Sequence, residues 1–103
     1  MTGKADAEKL DLVLSIVAEE DQLQETEQRF RTQPTDENRL QYAALQSTST
    51  KEHEKRAALR HFNHILNRNN SNLRRDALYY LTTTSYMLKD YENSLRFCEE
   101  LYR

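Results

Sequence analysis

Leu73 to Tyr102 reads LRRDALYYLTTTSYMLKDYENSLRFCEELY, and this stretch decides the fold. Ala77, Leu78, Leu81, Ser85 and Leu88 recur at spacings of three and four, which is one face of an α-helix. Asp90 then offers a short side chain that can cap a second helix. That helix carries the cleanest stripe of the chain: Tyr91, Ser94, Leu95, Cys98, Leu101 and Tyr102. Two helices joined by so short a link must fold back on each other.

The pair also fits a repeat pattern. Tetratricopeptide units are 34-residue antiparallel helix pairs with fixed large and small positions. Leu78, Leu81 and Thr82 suit the large, large and small positions of the first helix. Asp90-Tyr91 suits the turn, where the aromatic packs across the hairpin. Ser94 suits the small position where the helices cross closely, and Cys98 and Leu101 fill the seam. The bland alternative is a plain helical bundle with the same stripes.

Upstream, Thr35 to Leu66 reads as a degenerate copy. Pro34 breaks the chain before it, Thr35 caps its first helix, and Asp36 and Glu37 suit the positive helix end. Leu40, Tyr42, Ala43 and Ala44 mark its first helix. Ser47-Thr48-Ser49-Thr50 is a second break, and Ser49 with Glu52 reads as a capping box. The next helix buries Ala58, Phe62, Ile65 and Leu66, with Ala58 at the helix crossing. Asn67 to Asn72 is a third break, rich in turn formers.

The N-terminal third is weaker. Leu10, Val13, Leu14 and Val17 form an amphipathic stripe. A second segment to about Arg31 shows only Leu23 and Phe30 on a buried side. The expectation is therefore an all-α, six-helix antiparallel tetratricopeptide-like bundle forming one domain over residues 1–103. Residues 1–33 hold the N-terminal arm and capping helices, 35–66 the degenerate repeat, and 73–103 the second repeat.

Composition agrees. Of 103 residues, 37% are hydrophobic and 31% charged, so a modest core is affordable. There is one glycine and one proline, too few for the tight turns of a multi-hairpin sheet protein. Fifteen basic residues against seventeen acidic ones give a net charge of −2, with no strong field for nucleic acid. Cys98 is the only cysteine, which excludes an internal disulfide and fits a reducing compartment. No stretch approaches a membrane span or a signal core, so the chain as it stands reads as soluble. Asn69-Asn70-Ser71 matches a glycosylation sequon, discounted because nothing routes the chain to the secretory pathway.

Catalytic chemistry finds no constellation. Adjacent acids such as Glu19-Glu20 and Glu99-Glu100 diverge by about 100° on a helix and do not converge as an acid/base pair. Gly3 alone makes no phosphate loop. His61 and His64 share a helix face, but zinc needs three or four ligands, so solvated surface histidines are the default reading. Cys98 on the seam reads as a buried structural thiol. No enzyme activity, cofactor or metal is expected. Lys55, Arg56, Arg60, His61, His64 and Arg68 form a basic helix face that could touch RNA or a membrane surface, although stacking aromatics are not interleaved with it.

Two stretches resemble the mitochondrial fission 1 family. One is Arg75-Asp76-Ala77-Leu78-Tyr79-Tyr80-Leu81, continuing through Ser85-Tyr86-Met87-Leu88-Lys89-Asp90-Tyr91 to Leu95. The other is Leu40-Gln41-Tyr42-Ala43-Ala44 followed by Lys55-Arg56-Ala57-Ala58-Leu59. Ala44 stands where that family commonly has tryptophan, and Ala58 near its usual glycine. The resemblance implies a non-enzymatic adaptor on the cytosolic face of the outer mitochondrial membrane, and on peroxisomes, held by a C-terminal anchor that would follow Arg103. Its implied partners are fission adaptors and dynamin-related GTPases, bound on a concave face.

The first helix of each repeat would line that face. Asp76, Tyr79, Thr83, Tyr86 and Met87 are the positions of the second repeat left over by the seam, with Leu40, Ala44 and Ser47 of the first. Tyr79 and Tyr86 offer large contact area with few rotors, and Met87 adapts to irregular surfaces. The same aromatics could instead cover the core. The resemblance also implies an N-terminal arm over the groove, whereas the stripe itself reads as a buried capping helix.

Overall fold

The computed structural model describes residues 3–68 and 71–103, all helical or short connections. It contains α1 (Gly3–Thr32), α2 (Asp36–Ser47), α3 (Glu52–Leu66), α4 (Ser71–Met87) and α5 (Tyr91–Leu101). No strand occurs among the described residues. Asn69 and Asn70, central to the third expected break and to the sequon, lie outside them.

Each helix packs on its neighbour in the chain, and α2 also packs on α4. The core is the seam where α2, α3, α4 and α5 meet: Ala43, Ala58, Phe62, Leu78, Leu81 and Phe97. Ala58, Phe62, Ile65, Ala77 and Leu81 are completely buried. Phe62 stacks on Tyr80, with ring centroids 5.1 Å apart and planes 7° from parallel. Ser94 is buried where α5 crosses α4, and its Oγ donates to the Thr82 carbonyl at 2.8 Å. Only a small side chain permits that approach, as the Ser94 pattern requires.

The N-terminal third departs from expectation. Five helices are described instead of six, because the two N-terminal segments are one 30-residue helix. Nothing between Val17 and Leu23 breaks it: Ala18-Glu19-Glu20-Asp21-Gln22 has no glycine or proline and is mostly good helix formers. Arg29 pairs with Glu25 at 3.2 Å and Arg31 with Glu27 at 2.6 Å, both at i,i+4 spacing.

The residues seen to fasten α1 to the body lie in its second half. Thr26 is buried, Leu23 and Phe30 are half-buried, and Arg29 Nη1 donates to Gln41 Oε1 at 3.3 Å. The stripe Leu10, Val13, Leu14 and Val17 is not a buried cap. All four are about half exposed, as are Leu12 and Ile16. Residues advance about 100° around a helix, so this stripe is centred well over 90° away from Leu23 and Phe30. A straight helix cannot turn both faces to one body. At about 1.5 Å per residue α1 is roughly 45 Å long. It dominates the 57 Å long axis. The radius of gyration, 16.3 Å, exceeds the about 13 Å of a compact domain this size.

The helix ends are mostly as anticipated. Thr35 caps α2, accepting from the Asn38 amide, and Asp90 caps α5, accepting from the Asn93 amide. The capping box at α3 does not form. Lys51 is the cap residue, without a side-chain bond, and Ser49 Oγ instead accepts from the Lys51 amide two residues on. The hydroxyl lies two residues ahead of the cap position.

α4 ends in a left-handed residue. Lys89 has φ 64°, its amide donates to the Tyr86 carbonyl, and the Asp90 amide donates to the Ser85 carbonyl. This is the Schellman arrangement, whose left-handed position favours glycine. Lys89→Gly is expected to stabilise the domain by roughly 0.5–1 kcal/mol. A higher urea midpoint at unchanged slope would show it.

α5 turns a different face inward from the one its stripe suggests. Ser94 and Phe97 are buried and Leu101 half-buried, whereas Tyr91, Leu95 and Tyr102 are exposed. Cys98 is half-buried beside the exposed row, so it is not a buried core thiol. The Ser94 contact with Thr82 fixes the rotation of α5. Phe97 and Leu101 share Ser94's side, while Leu95 and Tyr102 lie on the flank.

Candidate functional site

The residues singled out from the sequence fall on two helices that pack side by side. On α4, Asp76, Tyr79, Tyr86 and Met87 are exposed and Thr83 is half-buried. Thr83 Oγ1 is turned back to the Tyr80 carbonyl at 3.2 Å. Tyr79, Thr83 and Tyr86 are separated by four and three residues, so they share one side of α4. On α2, Leu40 packs against the core cluster. Ala44 is half-buried, and its carbonyl accepts from Ser47 Oγ at 2.6 Å, Ser47 itself being buried. The exposed contact area therefore belongs to α4, whereas the α2 positions are mostly taken up by the core.

Tyr79 is 55% exposed, Tyr86 63% and Met87 56%. Their rings are positioned, not loose. Tyr79 meets Tyr80 edge to face at 5.5 Å, and Tyr80 is anchored on Phe62. Tyr86 meets Tyr91 at 5.3 Å, across the α4–α5 turn. Tyr91 thus packs across the hairpin as anticipated, yet stays exposed and extends the patch. Leu95, one turn further along α5, is 61% exposed. Tyr91 and Leu95 belong to the apolar stripe of α5; their i,i+4 spacing fits a buried or an exposed row equally well, and only the rotation of α5 separates the two.

The basic face of α3 is not one patch. Arg56 pairs with Glu52 at 2.6 Å and Arg68 with Asp36 at 3.2 Å. Lys55 Nζ donates to the Ser49 carbonyl. His61 is drawn into the core edge. Arg60 and His64 are exposed on the same helix.

His61 is the residue most misjudged from sequence. It is not a solvated surface histidine. Phe30 meets it edge-on at 5.6 Å and Tyr42 lies 5.6 Å away. Arg39 Nη1 is 2.9 Å from its Nδ1, and the Arg39 guanidinium carbon sits 4.7 Å over the Phe30 ring. An arginine can only donate, so Nδ1 accepts and the proton sits on Nε2. Burial, then the positive charges of Arg39, Arg60 and His64, hold the imidazole below its ordinary range. Burial likewise lowers the Arg39 guanidinium, against the opposing charge of Asp36. Burial raises the Tyr42 hydroxyl, helped by Glu27. The cluster ties α1, α2 and α3 together. No local pattern marks it, since Phe30, Arg39, Tyr42 and His61 come from three different helices.

Because the folded imidazole binds its proton less readily than the unfolded one, the unfolded state takes up more protons as pH falls. The stability this site contributes is complete above the unfolded value of 6.5 and is lost as pH falls from there through the folded value. Urea unfolding between about pH 7.5 and 5.5 should show a declining midpoint. His61→Asn keeps an acceptor facing Arg39 and should flatten that decline.

A cleft of about 420 Å³ lies elsewhere, between the middle of α1 and the α2–α3 connection, with Ile16, Leu23, Leu45, Lys51 and Glu54 in its walls. Among the described residues no three histidine, cysteine or acidic side chains converge to hold a metal. No described helix is long and apolar enough to cross a membrane.

Compared with models of known protein families, the chain matches none. Compared with curated proteins, it likewise matches none. What can be stated of its class is that it is an all-helical protein of consecutive packed helices.

Proposed function

We propose that the chain is a non-enzymatic adaptor domain that captures a segment of another protein on the outer side of α4. The observation that carries this reading is the exposed row Tyr79, Tyr86 and Met87, continued by Tyr91. Aromatic and methionine side chains are enriched at interface centres, and a contiguous exposed row of them is costly unless something covers it. Asp76 and Thr83 would supply polar contacts at its edge, with a smaller part left to Leu40 and Ala44 of α2. An amphipathic helix laid along α4 suits such a surface.

The repeat reading belongs to the same proposal. The helix pairs α2–α3 and α4–α5, the contact of α2 with α4, and the buried small residues Ala58 and Ser94 support two tetratricopeptide-like units. The sequence resemblance described above supplies the particular version. In it, the domain faces the cytosol from the outer mitochondrial membrane or peroxisomes and recruits fission adaptors or a dynamin-related GTPase. Of the six basic residues named above, Lys55, Arg56, His61 and Arg68 already have partners within the chain, so contact with RNA or a membrane surface is the weaker reading.

The test is to express the complete gene product with a fluorescent tag and extract membranes with carbonate. Carbonate-resistant signal on mitochondria, with affinity capture of a division GTPase or its adaptor, is expected. A diffuse signal without such capture would leave only a generic helical interaction module.

A further inference from the structure

We infer that the projecting half of α1 is a self-association site, pairing with the same segment of a second copy in antiparallel register. Leu10, Val13, Leu14 and Val17 form a two-turn apolar stripe, each residue 46–58% exposed. The stripe points away from Leu23, Thr26 and Phe30, the residues that fasten α1 to its own body. It therefore cannot be covered by α2 without unfastening the helix. Asp6 and Asp21 bound it at either end on the same side of the helix, so carboxylates approach each other there in either direction of pairing, and the flanking charges decide between the two.

Charge selects the partner and its direction. Lys9 and Glu20 flank the stripe and are eleven residues apart, which places them within about 20° of each other on one flank. In an antiparallel pair, flanking residues of the same side face each other. Lys9 of each copy then meets Glu20 of the other, with the midpoint of that pair one residue from the midpoint of the stripe. A parallel pair would instead bring like ends together and oppose the Glu19-Glu20-Asp21 run to itself. Neither Lys9 nor Glu20 forms an ion pair inside its own chain among the described residues.

The size is adequate for a weak dimer. Four half-exposed aliphatic side chains and the stems of Lys9 and Glu20 offer on the order of 500 Å² per copy, so the pair would bury on the order of 1,000 Å². That is the lower limit for a specific interface, and it predicts reversible association instead of an obligate dimer. The two-fold symmetry closes the assembly at two.

The test is sedimentation equilibrium of the purified chain from about 10 μM to about 1 mM. The weight-average mass should climb from 12.3 kDa towards twice that value. Leu14→Asp should hold it at the monomer, with helicity unchanged by circular dichroism, because Leu14 supports nothing in the fold. Lys9→Glu should weaken association at least several-fold, and the double swap Lys9→Glu with Glu20→Lys should restore it. A monomeric mass at every concentration overturns the inference. So does a dimer indifferent to Leu14→Asp, which would place the interface on another face such as Tyr91 and Leu95. Failure of the double swap to restore association would overturn the antiparallel register.

Discussion

Phe62→Ala is expected to cost the domain about 3–5 kcal/mol, a large share of the roughly 5–15 kcal/mol that holds a domain of this size folded. Phe62 is completely buried and sits where α2, α3, α4 and α5 meet, among Ala43, Ala58, Leu78, Leu81 and Phe97. Two of those neighbours are alanines with no rotamers to swing into the vacancy, so the cavity would persist. The stacked Tyr80 ring would lose its support, and with it the edge contact that positions Tyr79. The substitution should therefore also reduce partner binding, in proportion to the unfolded fraction. Denaturant unfolding monitored by circular dichroism gives the number. A loss below about 1 kcal/mol would mean that the seam is not the core.

Tyr79→Ala combined with Tyr86→Ala should do the opposite: abolish partner binding and leave the fold alone. Both rings are more than half exposed, so their removal deletes little buried area. Two aromatic anchors at an interface centre commonly contribute about 2 kcal/mol or more each. Their joint loss should weaken binding by at least about 100-fold. The unfolding midpoint should shift by the equivalent of less than about 1 kcal/mol. Thr83 and Leu40 are poorer probes, because one bonds its own helix and the other packs on the core. Binding unaffected by the double substitution would remove α4 from the interface.

Much of the architecture is legible in the sequence, and the failures share one cause. Local chemistry marks Thr35 and Asp90 as caps, and small residues mark Ser94 and Ala58 as crossings. Phe62, Ile65, Leu78 and Leu81 fall inside because their helices each carry one dominant apolar face. α1 and α5 each carry two. On α5, Leu95 and Phe97 are equally apolar, and the choice between them is made by Ser94 pressing on Thr82. On α1, the stronger stripe points outward and the sparse one, Leu23 and Phe30, holds the body. Periodicity reports that a face is apolar, but not what meets it. The site follows the same rule. The row Tyr79, Thr83 and Tyr86 is visible as a spacing, whereas Tyr91 joins it only through the left-handed turn at Lys89. The cluster of Phe30, Arg39, Tyr42 and His61 leaves no local trace because three helices contribute to it.

The central claim is that partners are held on the outer side of α4. Hydrogen exchange on the chain, free and bound to the partner captured by the full-length protein, tests it most directly. Added protection should concentrate on residues 76–91, with a smaller effect on 40–47. Protection confined to α3, or to the projecting half of α1, with α4 unchanged would contradict the account.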